Sequence, residues 1–275
     1  MSIPIETVCT GAFSMDYFRF GSGEKPLVIL PGLSVQSVMG SADVIAEAYR
    51  PLADHFAIYV FDRRADLPET YPVADMARDT AEAFQALGLE KVCLFGASQG
   101  GMIALTLAIE HPELVEKLAL GSSTAHLREE QYRGIEEWIR LAEAGDREGL
   151  YLAFGKSIYP PAVFRQYREA LLTAAGTVTG RDLRRFIILA EGMRGFNVVS
   201  ELDRIRCPVL VLGVFEDAVL DSDATMEIAE KLDHDPDFRL YMYTGYGHAA
   251  FDTAPDYKQR ILRFFLQERL RTVAR

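Results

Sequence analysis

Several features are scarce in this sequence, and each scarcity excludes something. The 29 basic residues fall well short of the 40 acidic ones, leaving a net charge of -11. That balance repels phosphate backbones and anionic lipid heads, so neither nucleic acid nor a membrane surface is expected as a partner. No apolar run approaches the roughly 20 residues that a membrane span needs. The stretch from Met1 to Phe20 lacks the basic segment and apolar run of a signal peptide, so the expectation is a soluble, unprocessed, cytoplasmic protein. Only three cysteines occur, Cys9, Cys93 and Cys207. They are odd in number, far apart and set in apolar strand-like runs, which predicts buried, reduced side chains rather than a disulfide framework. No cysteine pair has zinc spacing and no two histidines stand four apart on a helix. G-x-G-x-x-G is missing after the first core strand, and G-x-x-x-x-G-K-[ST] is missing altogether, so dinucleotide and P-loop readings have no anchor. No cofactor and no metal are expected.

The 275 residues are 49% hydrophobic, 11% aromatic and 25% charged, ample for a sizeable core. Pro4–Cys9 and Met15–Phe20, punctuated by Thr10-Gly11 and Gly21-Ser22-Gly23, read as a strand hairpin. Short apolar runs then recur at Leu27–Leu30, Ala57–Phe61, Lys91–Phe95, Leu118–Leu120, Pro208–Leu212 and Phe238–Tyr243. Most are followed by stretches with helical spacing, among them Asp75–Leu87, Gln99–Glu110 and Pro255–Leu270. Unbroken apolar strands alternating with helices predict an α/β fold, a mainly parallel twisted sheet of about eight strands covered on both faces. Between Thr124 and Ser200 the alternation stops. Four helices are predicted there, near Glu129–Ala144, Asp146–Ser157, Pro161–Ala174 and Arg181–Met193. This divides the chain into a core of residues 1–123 and 201–275 and a helical cap of residues 124–200.

Gly96-Ala97-Ser98-Gln99-Gly100 has the G-x-S-x-G pattern, with an apolar strand leading in and an apolar helix leading out. Such a turn forces the serine backbone into a strained conformation, and only small flanking residues let strand and helix approach so closely. A serine hydroxyl is a weak nucleophile and needs a base together with a group that orients the base. Of the five histidines, His55, His111, His126 and His234 lie at helix ends, the cap entrance or the acidic run Asp233–Asp237. His248 follows the strand Phe238–Tyr243 and a glycine-rich loop. Carboxylates just past the strand Pro208–Leu212 are Glu216, Asp217 and Asp221, in the region where open α/β sheets build their sites.

The elbow, the alternating core, the helical insertion and the order Ser, Asp, His together resemble the α/β-hydrolase superfamily over nearly the whole chain. The run Asp75-Met76-Ala77-Arg78-Asp79 resembles its capped bacterial esterase and lactonase branch. The resemblance implies Ser98 as nucleophile, His248 as base and Asp217 as the acid, with Glu216 and Asp221 kept as alternatives. It also implies an oxyanion hole made by the backbone N–H groups of Gln99 and, from the loop Pro31-Gly32-Leu33, of Leu33. Most relatives have His-Gly where this chain has Pro31-Gly32, a departure that removes a supporting side chain but keeps the backbone donor. Serine at the elbow argues against the aspartate-based dehalogenase and epoxide hydrolase branches. The absence of His-Gly-Gly-Pro-Gly argues against proline iminopeptidases.

The expected activity is hydrolysis of a small, largely apolar ester, thioester or lactone through an acyl-enzyme, with a small-molecule substrate as partner and the oligomeric state left open. Carbon–carbon bond hydrolysis and ligand sensing without turnover are the alternatives, separated by whether turnover is sustained. Trp138, Phe154, Tyr159, Phe164, Tyr167, Phe186, Met193 and Phe196 are the cap's candidate pocket lining.

Overall fold

The structure is a computed structural model that describes residues 2–267. Its strands are β1 (Ile5–Cys9), β2 (Ser14–Phe20), β3 (Lys25–Leu30), β4 (Phe56–Arg64), β5 (Val92–Ala97), β6 (Val115–Gly121), β7 (Val209–Val214) and β8 (Phe238–Tyr243). They form one sheet in the order β1-β2-β4-β3-β5-β6-β7-β8. β1 and β2 pair antiparallel, as do β2 and β4, and every other pair is parallel. The core helices are α1 (Ala42–Ala48), α2 (Arg50–Ala53), α3 (Val73–Ala86) and α4 (Gln99–Glu110). The cap holds α5 (Glu129–Glu143), α6 (Arg147–Ile158), α7 (Pro161–Ala175) and α8 (Gly180–Glu191), after which α9 (Asp221–Leu232), α10 (Ala250–Thr253) and α11 (Tyr257–Leu266) return to the core.

Period-two geometry explains why the central strands are apolar without interruption. In β3, Val28 and Leu30 pack with α3, α4, α9 and the cap, whereas Leu27 and Ile29 pack with α1, α2 and α11. Helix burial follows the same logic. α3 buries Met76, Ala77, Thr80, Ala83 and Phe84 on one face, and Gly88 stops it with φ 66°, a backbone region in which a Cβ is strained. α4 buries every residue except Glu110, as a helix clamped between sheet and cap must. In the cap, the Asp146 side chain accepts the Gly149 N–H at 2.8 Å at the start of α6, and Thr179 and Asp182 form a reciprocal box at the start of α8. Such caps satisfy first-turn N–H groups that have no intrahelical acceptor.

The observed elements follow the sequence reading with local corrections. Cys93 and Cys207 are buried, but Cys9 is exposed, because β1 is an edge strand whose alternate residues face solvent. The last helix begins at Tyr257 rather than Pro255, since Pro255 and Asp256 form a turn in which the Tyr257 N–H donates to the Ala254 carbonyl at 3.2 Å. Its predicted end at Leu270 lies outside the described residues. Helices α1, α2 and α9 had no distinct sequence signal: α2 is a single proline-containing turn, and α9 opens within an acidic stretch. Among the described residues no helix is long and apolar enough to cross a membrane, and no cluster of His, Cys, Asp or Glu could hold a metal ion.

Two glycines test how tightly the core is built. A methyl group on Gly100 would overlap the Leu30 carbonyl, whereas one on Gly134, exposed within α5, would meet nothing within 4 Å. Gly100→Ala should therefore destabilise the fold by at least about 2 kcal/mol through a backbone clash. Gly134→Ala should stabilise it by about 0.5–1 kcal/mol. Denaturant unfolding of the two variants should shift in opposite directions; a shift in the same direction would contradict this packing account.

Candidate active site

The elbow has the geometry its sequence requires. Ser98 sits between β5 and α4 with φ 51° and ψ -121°, a left-handed conformation that costs a non-glycine residue about 1–3 kcal/mol. Neighbouring groups hold it there. The Ser98 N–H donates to the Gly121 carbonyl at 2.8 Å, and the Ser98 carbonyl accepts the Gly101 N–H at 2.9 Å and the Ser123 hydroxyl at 2.8 Å. Substituting Gly96 or Gly100 would push a Cβ into backbone, of Gly100 in the first case and of Leu30 in the second. The loop after β3 passes directly beside the hydroxyl: a Cβ on Gly32 would lie 3.1 Å from Ser98 Cβ and 3.7 Å from its Oγ.

Past the carboxyl ends of β7 and β8 the structure brings Asp217 and His248 together, both buried, with Nδ1 2.8 Å from Oδ2. The other oxygen, Oδ1, accepts the N–H groups of Val219 at 2.8 Å and Leu220 at 3.0 Å. Burial by itself would raise the Asp217 carboxyl, but the facing imidazole and these two donors outweigh it and hold the group below its ordinary value. An ionised carboxylate only accepts, so Nδ1 carries the proton and Nε2 presents its lone pair. The two other carboxylates are engaged elsewhere. Exposed Glu216 accepts the Gly245 N–H at 2.8 Å, and Asp221 accepts the Ala224 N–H and the Gln131 side chain, both at 3.0 Å. Of the remaining histidines, His55 and His234 are exposed, His111 lies 3.4 Å from Glu113, and His126 forms a backbone bridge with Asn197.

The amide of Gln99 opens α4, so it is a first-turn N–H with no acceptor in its own helix, at the positive end of the helix dipole. Leu33, in the loop facing it, is buried. Behind both lies a group the sequence reading missed. Arg63, at the end of β4 and only 5% exposed, donates from Nη2 to the Pro31 carbonyl at 2.8 Å and to Gln99 Oε1 at 3.2 Å. Burial lowers its guanidinium to about 10, opposed by Asp62 and reinforced by Arg185, so it is cationic at neutral pH. Asp62 in turn binds Ser37 and Arg185 of α8. The available signal was three successive ionisable residues, Asp62-Arg63-Arg64, at the carboxyl end of an apolar strand. By contrast, the run from Asp75 to Asp79 supplies no group to the site: Asp79 accepts the Tyr71 hydroxyl at 2.7 Å and pairs with Arg64 at 3.4 Å, pinning α3 to the sheet.

The cap reaches the site at three points. Gln99 Nε2 donates to the Leu189 carbonyl of α8 at 2.7 Å, Arg185 pairs with Asp62, and the Ala249 N–H, next to His248, donates to the Ile158 carbonyl at 2.9 Å. Most of the cap's large apolar groups serve its own cohesion. Trp138 meets Phe154 in a tilted pair at 4.7 Å and Phe154 meets Phe186 at 6.3 Å, while Trp138, Phe186, Met193 and Phe196 are buried in the continuous core. Tyr159, which follows Ile158 and meets Tyr167 at 5.2 Å, is the aromatic that the chain places beside the His248 loop.

Comparison with known proteins bears on the fold. The family described as alpha/beta hydrolase fold is matched over residues 25–255. A protein of Agrobacterium fabrum named "Putative carbamate hydrolase RutD" is 27% identical over 252 residues, covering 88% of this chain and 94% of its own. Among solved structures, MGS-M2, an alpha/beta hydrolase enzyme from a Medee basin deep-sea metagenome library, superposes with a TM-score of 0.85 at 20% identity, covering 98% of this chain and 100% of that one. The enol-lactonase from Burkholderia xenovorans LB400 gives a TM-score of 0.80 at 16% identity, with coverage of 95% and 100%. The family match over most of its length, on an eight-stranded sheet with a helical cap, makes this chain a member of the α/β-hydrolase-fold family.

Proposed function

We propose that the chain is a serine hydrolase that cleaves a small, largely apolar carboxylic ester, thioester or lactone through an acyl-enzyme. The observation that carries this reading is the buried Asp217–His248 pair at the same end of the sheet as the strained Ser98 elbow. Ser98 Oγ attacks the acyl carbon as His248 Nε2 takes its proton, and the oxyanion forms against the amides of Gln99 and Leu33. Collapse of the tetrahedral intermediate breaks the bond to the leaving group, which departs with that proton. Water, deprotonated by His248, then attacks the acyl-enzyme, releasing the acid and restoring the Ser98 hydroxyl. Asp217 keeps Nδ1 protonated and stabilises the imidazolium without itself taking the proton.

A second reading, carbamate hydrolysis, is supported by the name of the Agrobacterium fabrum relative. It uses the same attack on a carbonyl that bears nitrogen, and turnover of a carbamate set beside an ester of equal size separates the two.

Ser98→Ala should abolish labelling by a fluorophosphonate and lower ester hydrolysis by several powers of ten. Labelling that persists on the variant would assign the nucleophile elsewhere. Asp217→Asn should cost about 10³–10⁴ in kcat by leaving the imidazole in the wrong tautomer, whereas Glu216→Gln should change it little. Because the Asp217 carboxyl is held below its ordinary value, it stays ionised over the working pH range and adds no ionisation of its own to the profile. The acid limb of kcat/KM should then follow a single ionisation, and two ionisations there would contradict the assignment. Tyr159→Ala should shift the preferred acyl chain toward greater length, each methylene being worth about 1–3 kcal/mol in an apolar pocket. An unchanged profile across a series of p-nitrophenyl esters would leave Tyr159 with a structural role alone.

A further inference from the structure

Two backbone segments flank the Ser98 hydroxyl, the loop Pro31-Gly32-Leu33 and the first turn of α4 at Gln99. They come from different parts of the chain, and the loop brings little of its own to hold it in place. Pro31 has no N–H and no polar side-chain atom, and Gly32 has no side chain. The two segments are joined by one nitrogen. Arg63 Nη2 is 2.8 Å from the Pro31 carbonyl and 3.2 Å from Gln99 Oε1, inside a guanidinium almost wholly removed from water. Gln99 is fixed from its other end by the Leu189 carbonyl at 2.7 Å, so the side chain cannot turn away from Arg63 without breaking a second buried bond.

The rest of Arg63 does not look like a group kept for stability. Its Nε is buried with no hydrogen-bond partner among the described residues, and an unpaired buried donor is a cost to the folded state. Its neighbour Asp62 is shared with Ser37 and Arg185 and receives the Arg63 backbone N–H at 2.8 Å, so it only partly offsets the charge. A buried cation with one donor unpaired, bonded to the two segments that flank Ser98, is well placed to act where negative charge develops.

We infer that Arg63 is the positioning residue of the oxyanion hole: by bridging Pro31 and Gln99 it sets the spacing of the Leu33 and Gln99 amides around the forming oxyanion. This rests on the serine-hydrolase reading given above. A lysine ammonium also has donors enough for two acceptors, but they rotate on a flexible stem, whereas the two N–H bonds of Nη2 are fixed in the guanidinium plane and hold both acceptors in one arrangement. Since Arg63 lies behind the backbone, its effect belongs to the transition state and not to substrate binding.

The test compares the full-length wild type, Arg63→Met and Arg63→Lys on p-nitrophenyl butyrate, with a trifluoromethyl ketone that adds Ser98 and bears an oxyanion. Arg63→Met should lower kcat by about 10- to 100-fold, less than loss of a direct donor, with KM within about twofold. The inhibition constant of the ketone should rise by the same factor as kcat/KM falls. Arg63→Lys should recover part of the loss, and millimolar guanidinium ion should raise the rate of Arg63→Met but not of the wild type. A folded Arg63→Met with unchanged kcat, or one whose loss lies in KM with ketone affinity intact, would overturn the inference. If Arg63→Met does not fold, Gln99→Met cuts one arm of the bridge and must show the same parallel loss in kcat and ketone affinity; unchanged values would overturn it equally. A wild type that neither labels with fluorophosphonate nor turns over the ester fails at the earlier step and removes the hydrolase reading itself.

Discussion

The site depends on how closely backbone approaches backbone at residues 96–101. Gly96, Gly100 and Gly101 let α4 lie against β5 and the end of β3 at distances where any Cβ would collide with a neighbouring residue. That contact drives Ser98 into its left-handed conformation, and the strain is sustained because the whole α4 interface, buried on nearly every side, opposes its release. The same approach delivers the other parts of the site. It sets the Gln99 amide at the start of a helix dipole and brings the loop at Gly32 alongside the serine. Relaxing it by even an ångström would separate nucleophile from donors, the kind of misplacement that costs two powers of ten in rate.

Electrostatics at the site is arranged as two buried charges of opposite sign on separate elements. Asp217, past β7, is stabilised as a carboxylate by the imidazole and two backbone donors. Arg63, near the end of β4, remains cationic with only partial compensation from Asp62. Neither would be tolerated alone in an apolar interior, since an unpaired buried ion is costly. Each is held largely by groups from neighbouring elements, Asp217 by His248 past β8 and Arg63 by Pro31 past β3 and Gln99 of α4. The order of strands in the sheet keeps the two on opposite flanks of Ser98. Under the serine-hydrolase proposal one would favour positive charge on the imidazole and the other negative charge on the oxygen of the substrate, the polarity that acyl transfer needs.

What the sequence made legible was whatever is encoded locally. The unbroken strands, the Gly88 stop, the cap helices and the G-x-S-x-G turn each express a rule acting over a few residues, and the structure reproduces them to within a few residues. His248 and Asp217 needed more, since they lie 150 and 119 residues past Ser98; the resemblance supplied their positions, and spacing alone left Glu216 and Asp221 open. Arg63 escaped notice because nothing in its surroundings in the sequence separates it from Arg64, which forms an ordinary pair with Asp79. The distinction between them is a strand's alternation of side chains at its last residues. One arginine turns inward behind the oxyanion loop and the other toward α3, and that choice is made by tertiary packing. Cys9 shows the same limit, because whether an alternating strand has a neighbour on each side is a property of the sheet.

The cap is bonded to the core at the site itself. Leu189 receives the Gln99 side chain, Arg185 pairs with Asp62 beside Arg63, and Ile158 accepts the N–H that follows His248. Opening the cap as a rigid lid would therefore break hydrogen bonds belonging to the nucleophile turn and the base loop, in a low-dielectric interior where such bonds are strongest. Movements confined to α7, which holds none of these three anchors, disturb the site least. Tyr159 is only partly buried and Tyr167, on α7, is exposed, unlike the Trp138–Phe186 cluster that cements the rest of the cap. On the proposed reading, substrate selection and rate are then separable by position: α7 has none of these bonds, whereas α8 is constrained by those to Gln99 and Asp62 and cannot move without altering the geometry around Ser98.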